Sequence, residues 1–282
     1  MTLLTTKAQA SRVPLYISTA FQLCASKWTG MTDYSVAKRA LQSESVSGIL
    51  EDALEQLEKQ FGVLLVSRIC AFITAARNGL SLGELTDVVS LEWDVVSEVF
   101  EGKDVVVRRL NSVLVEQVLW ELQGCLAKKR VGAGGLEAYF WSSSVFKSVA
   151  AERYLYLTDR LVATHRSLAN YWRDKKVKEA AGTGAPATET KSSNGRDKAT
   201  TVVKTFGFNQ TLLILGKPNE RRISSVVWHL LNCGTSGATE AVKTLQSISF
   251  LGAAIDAGLL DEIWNVSSLR WRTWGLAFTV RS

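Results

Sequence analysis

Proline is scarce in this chain, 3 residues among 282, which excludes a collagen-like or Pro-rich scaffold. Long apolar runs are missing. Ile69 to Ala76 stops at Arg77, and Val63 to Val66 runs into Ser67-Arg68, well short of the ~18 residues that a membrane span needs. Met1 to Arg12 holds no apolar segment of the kind a secretory signal requires. Cysteine is sparse: Cys24, Cys70, Cys125 and Cys233 stand 46, 55 and 108 positions apart, without a CxxC pair and among apolar neighbours. Buried free thiols in a reducing compartment are the expectation, hence a cytoplasmic chain. A strong excess of one charge is also lacking. Lys and Arg number 33 against 27 Asp and Glu, a net +6 with a sequence pI near 9.1, too mild a surplus to define a nucleic-acid binder. What is present is apolar material, 46% of residues against 21% charged, in a length that supports one large or two ordinary domains with their own cores.

Helical periodicity dominates. Ile49, Leu50, Ala53, Leu54, Leu57 and Phe61 form one stripe, with Glu51, Asp52, Glu55, Glu58 and Lys59 around it. Gly62 breaks this segment, and a second helix is predicted from Val63 to Arg77 with Val66, Ile69, Cys70 and Ile73 inward. Asn78-Gly79 reads as its C-terminal stop. Ser81-Leu82-Gly83-Glu84 reads as a capping box, hydroxyl and carboxylate each meeting a backbone N–H of the other residue. A short helix to about Val89 is expected next, then one near Glu92 to Phe100 capped by Ser90, then a longer one from Arg108 to Leu126. The period then changes. Leu126 to Val131 and Leu136 to Trp141 flank Gly132-Ala133-Gly134-Gly135, a loop suited to a hairpin. Several helices followed by one hairpin is the order of a winged-helix domain.

Ser142 to Ser144 are suited to cap a helix running through Tyr156, and another is expected from about Asp159 to Lys176. From Lys178 to Thr200 no large apolar residue occurs, the pattern of a flexible insertion. Between 173 and 204 eight basic residues face four acidic ones, so +4 of the net +6 lies there. Ile223 to Asn232, Ala238 to Gln246 and Ile248 to Trp264 are predicted as three or four short packed helices without a clear internal period. The fold class is therefore mostly α, a winged-helix module with a small β-hairpin followed by an α-helical superhelical region. The predicted divisions are an N-terminal helical segment (1–48), a winged-helix-like domain (49–141), a helical connector (142–176), a flexible basic linker (177–204), a C-terminal helical region (205–265) and a tail (266–282).

Candidate chemistry is thin. The two histidines, His165 and His229, lie 64 positions apart. His229 and Cys233 have the i,i+4 spacing for chelation on a helix, but two ligands do not complete a zinc site, and packing with a hydrogen bond is the simpler reading of both histidines. No G-x-S-x-G elbow occurs, and Ser142 to Ser144 read as helix-capping residues. Glu51-Asp52 reads as a solvated helix face rather than a catalytic acid pair. No G-x-x-x-x-G-K-[ST] phosphate loop is present: Gly132 to Gly135 lacks the lysine. Neither a cofactor nor a metal is expected, and the chain is read as a non-enzyme. A winged helix raises nucleic-acid binding as the alternative function, through Arg108, Arg109, Lys128, Lys129 and Arg130 plus the basic linker. Against it, Glu84, Asp87, Glu92, Asp94, Glu98, Glu101 and Asp104 face Lys103 alone over that stretch and would repel phosphates. Nine tryptophans are many for this length. Trp28, Trp93, Trp120, Trp141, Trp172, Trp228 and Trp264 fall on or beside apolar stripes, so core anchoring is expected for most.

Six further stretches carry a resemblance. They are Val13-Pro14-Leu15-Tyr16, Ala75-Ala76-Arg77-Asn78-Gly79-Leu80-Ser81 through Leu85, Phe140-Trp141 through Glu152-Arg153-Tyr154-Leu155, His165 with Leu168-Ala169-Asn170-Tyr171-Trp172, and Asn219-Glu220-Arg221-Arg222-Ile223 through His229-Leu230-Leu231, followed by Phe250-Leu251 to Gly258-Leu259-Leu260. In order and spacing they resemble the winged helix and helical segment that follow the nucleotide-binding core in NACHT-type STAND ATPases with WD40 or TPR repeats. Ser143 stands where that family usually has His, and Val226-Val227-Trp228 replaces its usual segment. The resemblance implies that 1–48 corresponds to the end of an ATPase helical subdomain. It implies a non-catalytic interaction or regulatory module of a signal-transduction scaffold, with the ATPase core expected upstream and the repeats downstream, so that a truncated chain is one expectation. The implied partners are proteins, an ATPase core or a WD40/TPR repeat chain, with no membrane and nucleic acid only as the alternative.

Overall fold

The computed structural model describes residues 14–28, 42–43, 45–100, 109–132, 134–173 and 210–273. Helix α1 (Pro14–Trp28) is followed by α2 (Val46–Phe61) and α3 (Val63–Ala75). The Ser45 hydroxyl accepts from Gly48 N–H to start α2, and Gly62, at φ 92°, separates α2 from α3. The two stripes read from the sequence are the buried faces: Ile49, Leu50, Leu54 and Leu57 on α2, and Val66, Ile69, Cys70 and Ile73 on α3. α3 ends at Ala75, earlier than the predicted stop at Asn78-Gly79. Gly79 does take a positive φ, 59°, because the chain must turn there to deliver Leu80 to the sheet.

α4 (Leu82–Ser90) carries the predicted capping box: Glu84 N–H donates to the Ser81 hydroxyl and Ser81 N–H donates to the Glu84 carboxylate. α5 (Trp93–Val99) has Glu92 at its N-cap, so the expected Ser90 cap does not form. Ser90 is instead the last residue of α4; its hydroxyl donates to Thr86 O and accepts from Leu110 N–H. α6 (Ser112–Glu121) is shorter than the predicted Arg108–Leu126 helix because Asn111 caps it and the chain leaves helical geometry after Glu121. Strands β1 (Leu126–Val131) and β2 (Leu136–Trp141) fall where expected and pair antiparallel from Leu126 opposite Trp141 to Val131 opposite Leu136. Leu80 joins this ribbon as an antiparallel bridge to Tyr139. The order helix, short strand, helix, helix, hairpin (α3, Leu80, α4, α6, β1–β2) is that of a winged helix, with α5 inserted between its second and third helices.

α7 (Ser144–Leu155), capped by Ser143, and α8 (Thr158–Trp172) complete the connector. The linker predicted at 177–204 lies outside the described residues. A two-residue hairpin, β3 (Leu213–Ile214) and β4 (Lys217–Pro218), was not foreseen; its turn places Leu215 at φ 49° and Gly216 at φ 78°. Helices α9 (Glu220–Leu231), α10 (Gly234–Leu245), α11 (Ile248–Asp256) and α12 (Leu260–Thr273) follow. The three or four short helices expected here are four, with Ile248 to Trp264 divided at Gly258, and α12 continues through Thr273, where a separate tail had been expected from 266.

One apolar core runs from Leu50 on α2 to Ile263 on α12, so the C-terminal helices are packed on the winged helix rather than held beside it. A smaller cluster joins Tyr16 and Ala20 of α1 to Ile49. Of the six tryptophans whose side chains are described, three are exposed, where core anchoring had been expected for most. Trp172 is fully buried and Trp141 and Trp228 are partly so, while Trp93, Trp120 and Trp264 are exposed; the side chains of Trp28, Trp271 and Trp274 lie outside the described residues. Cys70, Cys125 and Cys233 are free buried thiols, as expected; the Cys24 side chain is not among those described. Burial pushes the Cys125 thiol up to about 12 and Cys233 up to about 11, so neither is a ready nucleophile. Among the described residues no helix is long and apolar enough to cross a membrane, and none group as a set of three or more metal-ligating side chains.

Candidate interaction surfaces and the docking junction

The surface of the winged helix divides by element. α6 is its third helix, the one that enters a DNA groove in DNA-binding winged helices. Its exposed positions are Val113, Glu116, Gln117 and Trp120, with Val113 52% and Trp120 62% accessible, and its ten residues include neither Lys nor Arg. The wing is different. Lys128, Lys129 and Arg130 are exposed on β1, and Lys128 and Lys129 stand 5.2 Å from the Tyr139 ring and 5.3 Å from the Phe140 ring on β2. Arg109 does not join them. Its guanidinium pairs with the buried Asp87 carboxylate at 2.7 Å, while Arg108 lies outside the described residues.

The acidic stretch also takes on another meaning. Glu84 pairs with Arg221, Asp87 with Arg109, and Glu92 and Asp94 with Arg68. Glu84 and Asp87 are thus paired within the fold and Glu92 and Asp94 share one guanidinium, while Glu98 is exposed; Glu101 and Asp104, with Lys103, lie outside the described residues. Burial raises the Asp87 carboxyl above its ordinary range even against the Arg109 hydrogen bond.

Three of the stretches that carried the family resemblance, 75–85, 165–172 and 219–231, meet at one junction between the winged helix and α9. Arg221 Nε and Nη2 donate to the two oxygens of Glu84 at 2.9 and 2.6 Å. Arg221 Nη1 donates to Asn78 O at 2.7 Å and Nη2 to Gly79 O at 2.8 Å, with the guanidinium over the Trp172 ring. Glu84 is thus shared between the capping box of α4 and a bidentate pair with α9, the geometry that a planar guanidinium recognises best. Asn78 Nδ2 donates to the Ser224 hydroxyl, and Arg77 bonds Ser224 O, pairs with Glu262 of α12 at 3.0 Å and lies over Trp228. Beside this, His165 on α8 and His229 on α9 share a hydrogen bond between their Nδ1 atoms at 2.9 Å, both side chains buried. Burial first, then the charges around it, hold His229 well below the usual histidine range. The histidine packing with a hydrogen bond expected from the sequence is what is found, and the Cys233 thiol donates to His229 O.

A second polar knot ties α2 to α7. Arg153 grips both Glu58 oxygens, and Tyr154 Oη donates to Glu58 Oε1 at 2.6 Å. Burial works against the Glu58 charge, but the Arg153 and Tyr154 hydrogen bonds together hold its carboxyl below the ordinary value. Sequence reading placed Glu58 on a solvated face and gave Arg153 and Arg221 no partner. The available signal was only that Arg153 and Arg221 lie inside resemblance stretches, Arg153 beside the Tyr154 that shares its partner Glu58.

The third helix, the wing and the Leu80 bridge define a winged-helix domain. Residues 34–162, a little under half of the chain, match the family model of the NWD1-like winged helix-turn-helix domain. The chain is similar to the NACHT and WD repeat domain-containing protein 2 of Mus musculus, 27% identical over 168 residues that cover 56% of this chain and 10% of that protein. The protein of the same name from Homo sapiens is 30% identical over 137 residues, covering 47% of this chain and 8% of the relative. The chain therefore aligns with about a tenth of the length of these relatives. No solved structure matches it significantly.

Proposed function

We propose that the chain is a non-catalytic protein–protein interaction or regulatory module of a NACHT/WD40- or TPR-type scaffold, acting in the cytoplasm in signal transduction. It packs its winged helix against an ATPase core or a repeat-bearing chain and relays or restrains that partner's nucleotide-dependent switching. The observation that carries the reading is the outward face of α6. A groove-reading helix needs cations for phosphates and donors for base edges, whereas α6 offers Val113 and Trp120 around Glu116 and Gln117. An exposed tryptophan flanked by an aliphatic residue is the composition of a protein-binding hot spot.

The test is affinity purification of the tagged full chain and of Trp120→Ala from its own cells, with mass spectrometry, beside titration of the purified chain with duplex DNA and RNA at stepped salt. A NACHT ATPase or repeat protein recovered with the chain and lost with Trp120→Ala supports the module. Nucleic-acid binding that falls steeply with salt, and is removed by neutralising Lys128, Lys129 and Arg130, overturns it in favour of the alternative.

A further inference from the structure

The β3–β4 hairpin turns in two residues, Leu215 and Gly216, both at positive φ, 49° and 78°. A turn of this kind favours Asn-Gly, and a leucine there is held against its own backbone preference. No packing within the fold compensates: Leu215 is 99% accessible, and Leu213 and Ile214 before it are also exposed. Backbone strain at an exposed apolar tip points to a contact outside the fold.

The surface next to it has the reverse shape. β4 packs against α11, whose inward residues are Phe250, Ala253 and Ala254. The outward face of α11 is apolar as well: Ile248, Gly252 and Ile255 follow one another at i, i+4 and i+7, with both isoleucines exposed. A Cβ at Gly252 would meet no atom within 4 Å, so this face is a notch between two isoleucines. The hairpin of the same chain does not fill it, because Leu215, Ile248 and Ile255 all stay in water. Charge on this side is balanced. Among residues 210–268 the exposed charged side chains are Lys217 and Lys243 against Asp256 and Asp261.

We infer that this face docks a second copy of the chain, the Leu215 tip of each copy seating in the Ile248–Gly252–Ile255 notch of the other. A knob and a notch on one surface satisfy each other in pairs about a two-fold axis, which closes the assembly at a dimer. The flanking charges agree with the exchange. Lys217 follows the tip and Asp256 follows the notch, so each crossing sets a cation beside an anion, twice per dimer. A strongly charged partner would meet no net field here, whereas a surface that carries both signs is complementary to itself. Leu213, Ile214 and Leu215 supply the apolar centre of the contact and the charged pairs its rim.

The test is sedimentation equilibrium of the purified full chain from about 1 to 200 μM, a range that brackets a contact of this modest size. The expected result is a mass that rises with concentration from 31.0 kDa toward twice that value. Leu215→Asn, a residue that suits the turn, should weaken the dimer by about tenfold or more and leave the fold intact. Lys217→Glu and Asp256→Lys should each weaken it by setting like charges together. An equimolar mixture of those two variants should dimerise as the unaltered chain does, because every crossing then joins a cation to an anion again. A chain that stays monomeric throughout overturns the proposal and gives the face to a different protein. So does a dimer indifferent to Leu215→Asn, or a mixture that associates no more strongly than its two components.

Discussion

Replacing Arg221 by alanine is expected to be the most damaging single change at the junction. The guanidinium is 12% accessible and its partner Glu84 9%, so both charges sit largely out of water. Deleting the cation leaves the Glu84 carboxylate with only the Ser81 N–H it already accepts. The Asn78 and Gly79 carbonyls each lose a donor, and the packing over Trp172 is emptied. Breaking one side of a buried pair costs about 3–5 kcal/mol, and the two stranded carbonyls keep the figure at the upper end. Glu84→Ala loses the same pair together with half of the capping box, which adds about 1 kcal/mol. The two substitutions should be strongly non-additive, because each removes the same interaction: the double variant should be more stable than the sum of the singles by about 2–3 kcal/mol. Urea denaturation followed by far-ultraviolet circular dichroism measures this, and a fall in the urea dependence for Arg221→Ala would show α9–α12 leaving the cooperative unit. A cost below about 0.5 kcal/mol for Arg221→Ala, or additive singles, would refute the claim that this pair fastens α9 to the winged helix.

Three other outcomes follow from particular contacts. Glu58 is held below its ordinary pKa of 4.5, so its charged form is favoured in the fold; the stability it contributes is present above pH ~4.5 and is lost as pH falls through the lower folded value, and Arg153→Ala should flatten that acid limb in a thermal-unfolding series. Gly79→Ala should destabilise by about 2 kcal/mol or more, because φ is 59° and the new Cβ would lie 2.6 Å from the Phe140 ring and 2.7 Å from Tyr139 O; an unchanged melting temperature would sink this reading of the turn. Leu215→Asn should raise stability by about 0.5–1 kcal/mol, since Leu215 sits at φ 49° with 99% of its surface in water and makes the tight β3–β4 turn with a residue poorly suited to it; a drop in urea midpoint would show that the leucine has a packing role.

Local features were readable from the sequence where a local rule decides them. The capping box at Ser81 and Glu84, the hairpin limits at 126–131 and 136–141, and the inward faces of α2 and α3 each depend on residues within a turn or two of one another. Long-range partnership was not readable in this way. Glu84 meets Arg221 across 137 positions, Glu58 meets Arg153 across 95, and His165 meets His229 across 64. Periodicity assigns a residue to a face of a helix but not to the element covering that face. The tryptophans were over-assigned to the core for the same reason: Trp120 lies beside a buried stripe made by Val115, Val118 and Leu119 yet points to solvent. The early end of α6 and the run of α12 into the Arg270-Trp271-Arg272 stretch show the usual weakness of propensity at helix ends, where caps decide.

The redistribution of charge also changes the argument against the nucleic-acid alternative. In the sequence the acids between 84 and 104 appear as a repelling strip, but Glu84 and Asp87 each have an arginine partner and Glu92 and Asp94 share Arg68, so much of that charge is paired within the fold while Glu98 stays exposed. What a partner meets is a divided surface: a cationic wing at Lys128, Lys129 and Arg130 and an uncharged-to-acidic α6 with an exposed Trp120. A duplex seated with α6 in its groove would gain phosphate contacts only from the wing while bringing Glu116 close to the backbone, a poor exchange in electrostatic terms. A protein surface with an apolar pocket for Trp120 and an acidic rim for the wing matches both halves at once, since burial at the centre and opposite charge at the edge are how such interfaces combine affinity with orientation.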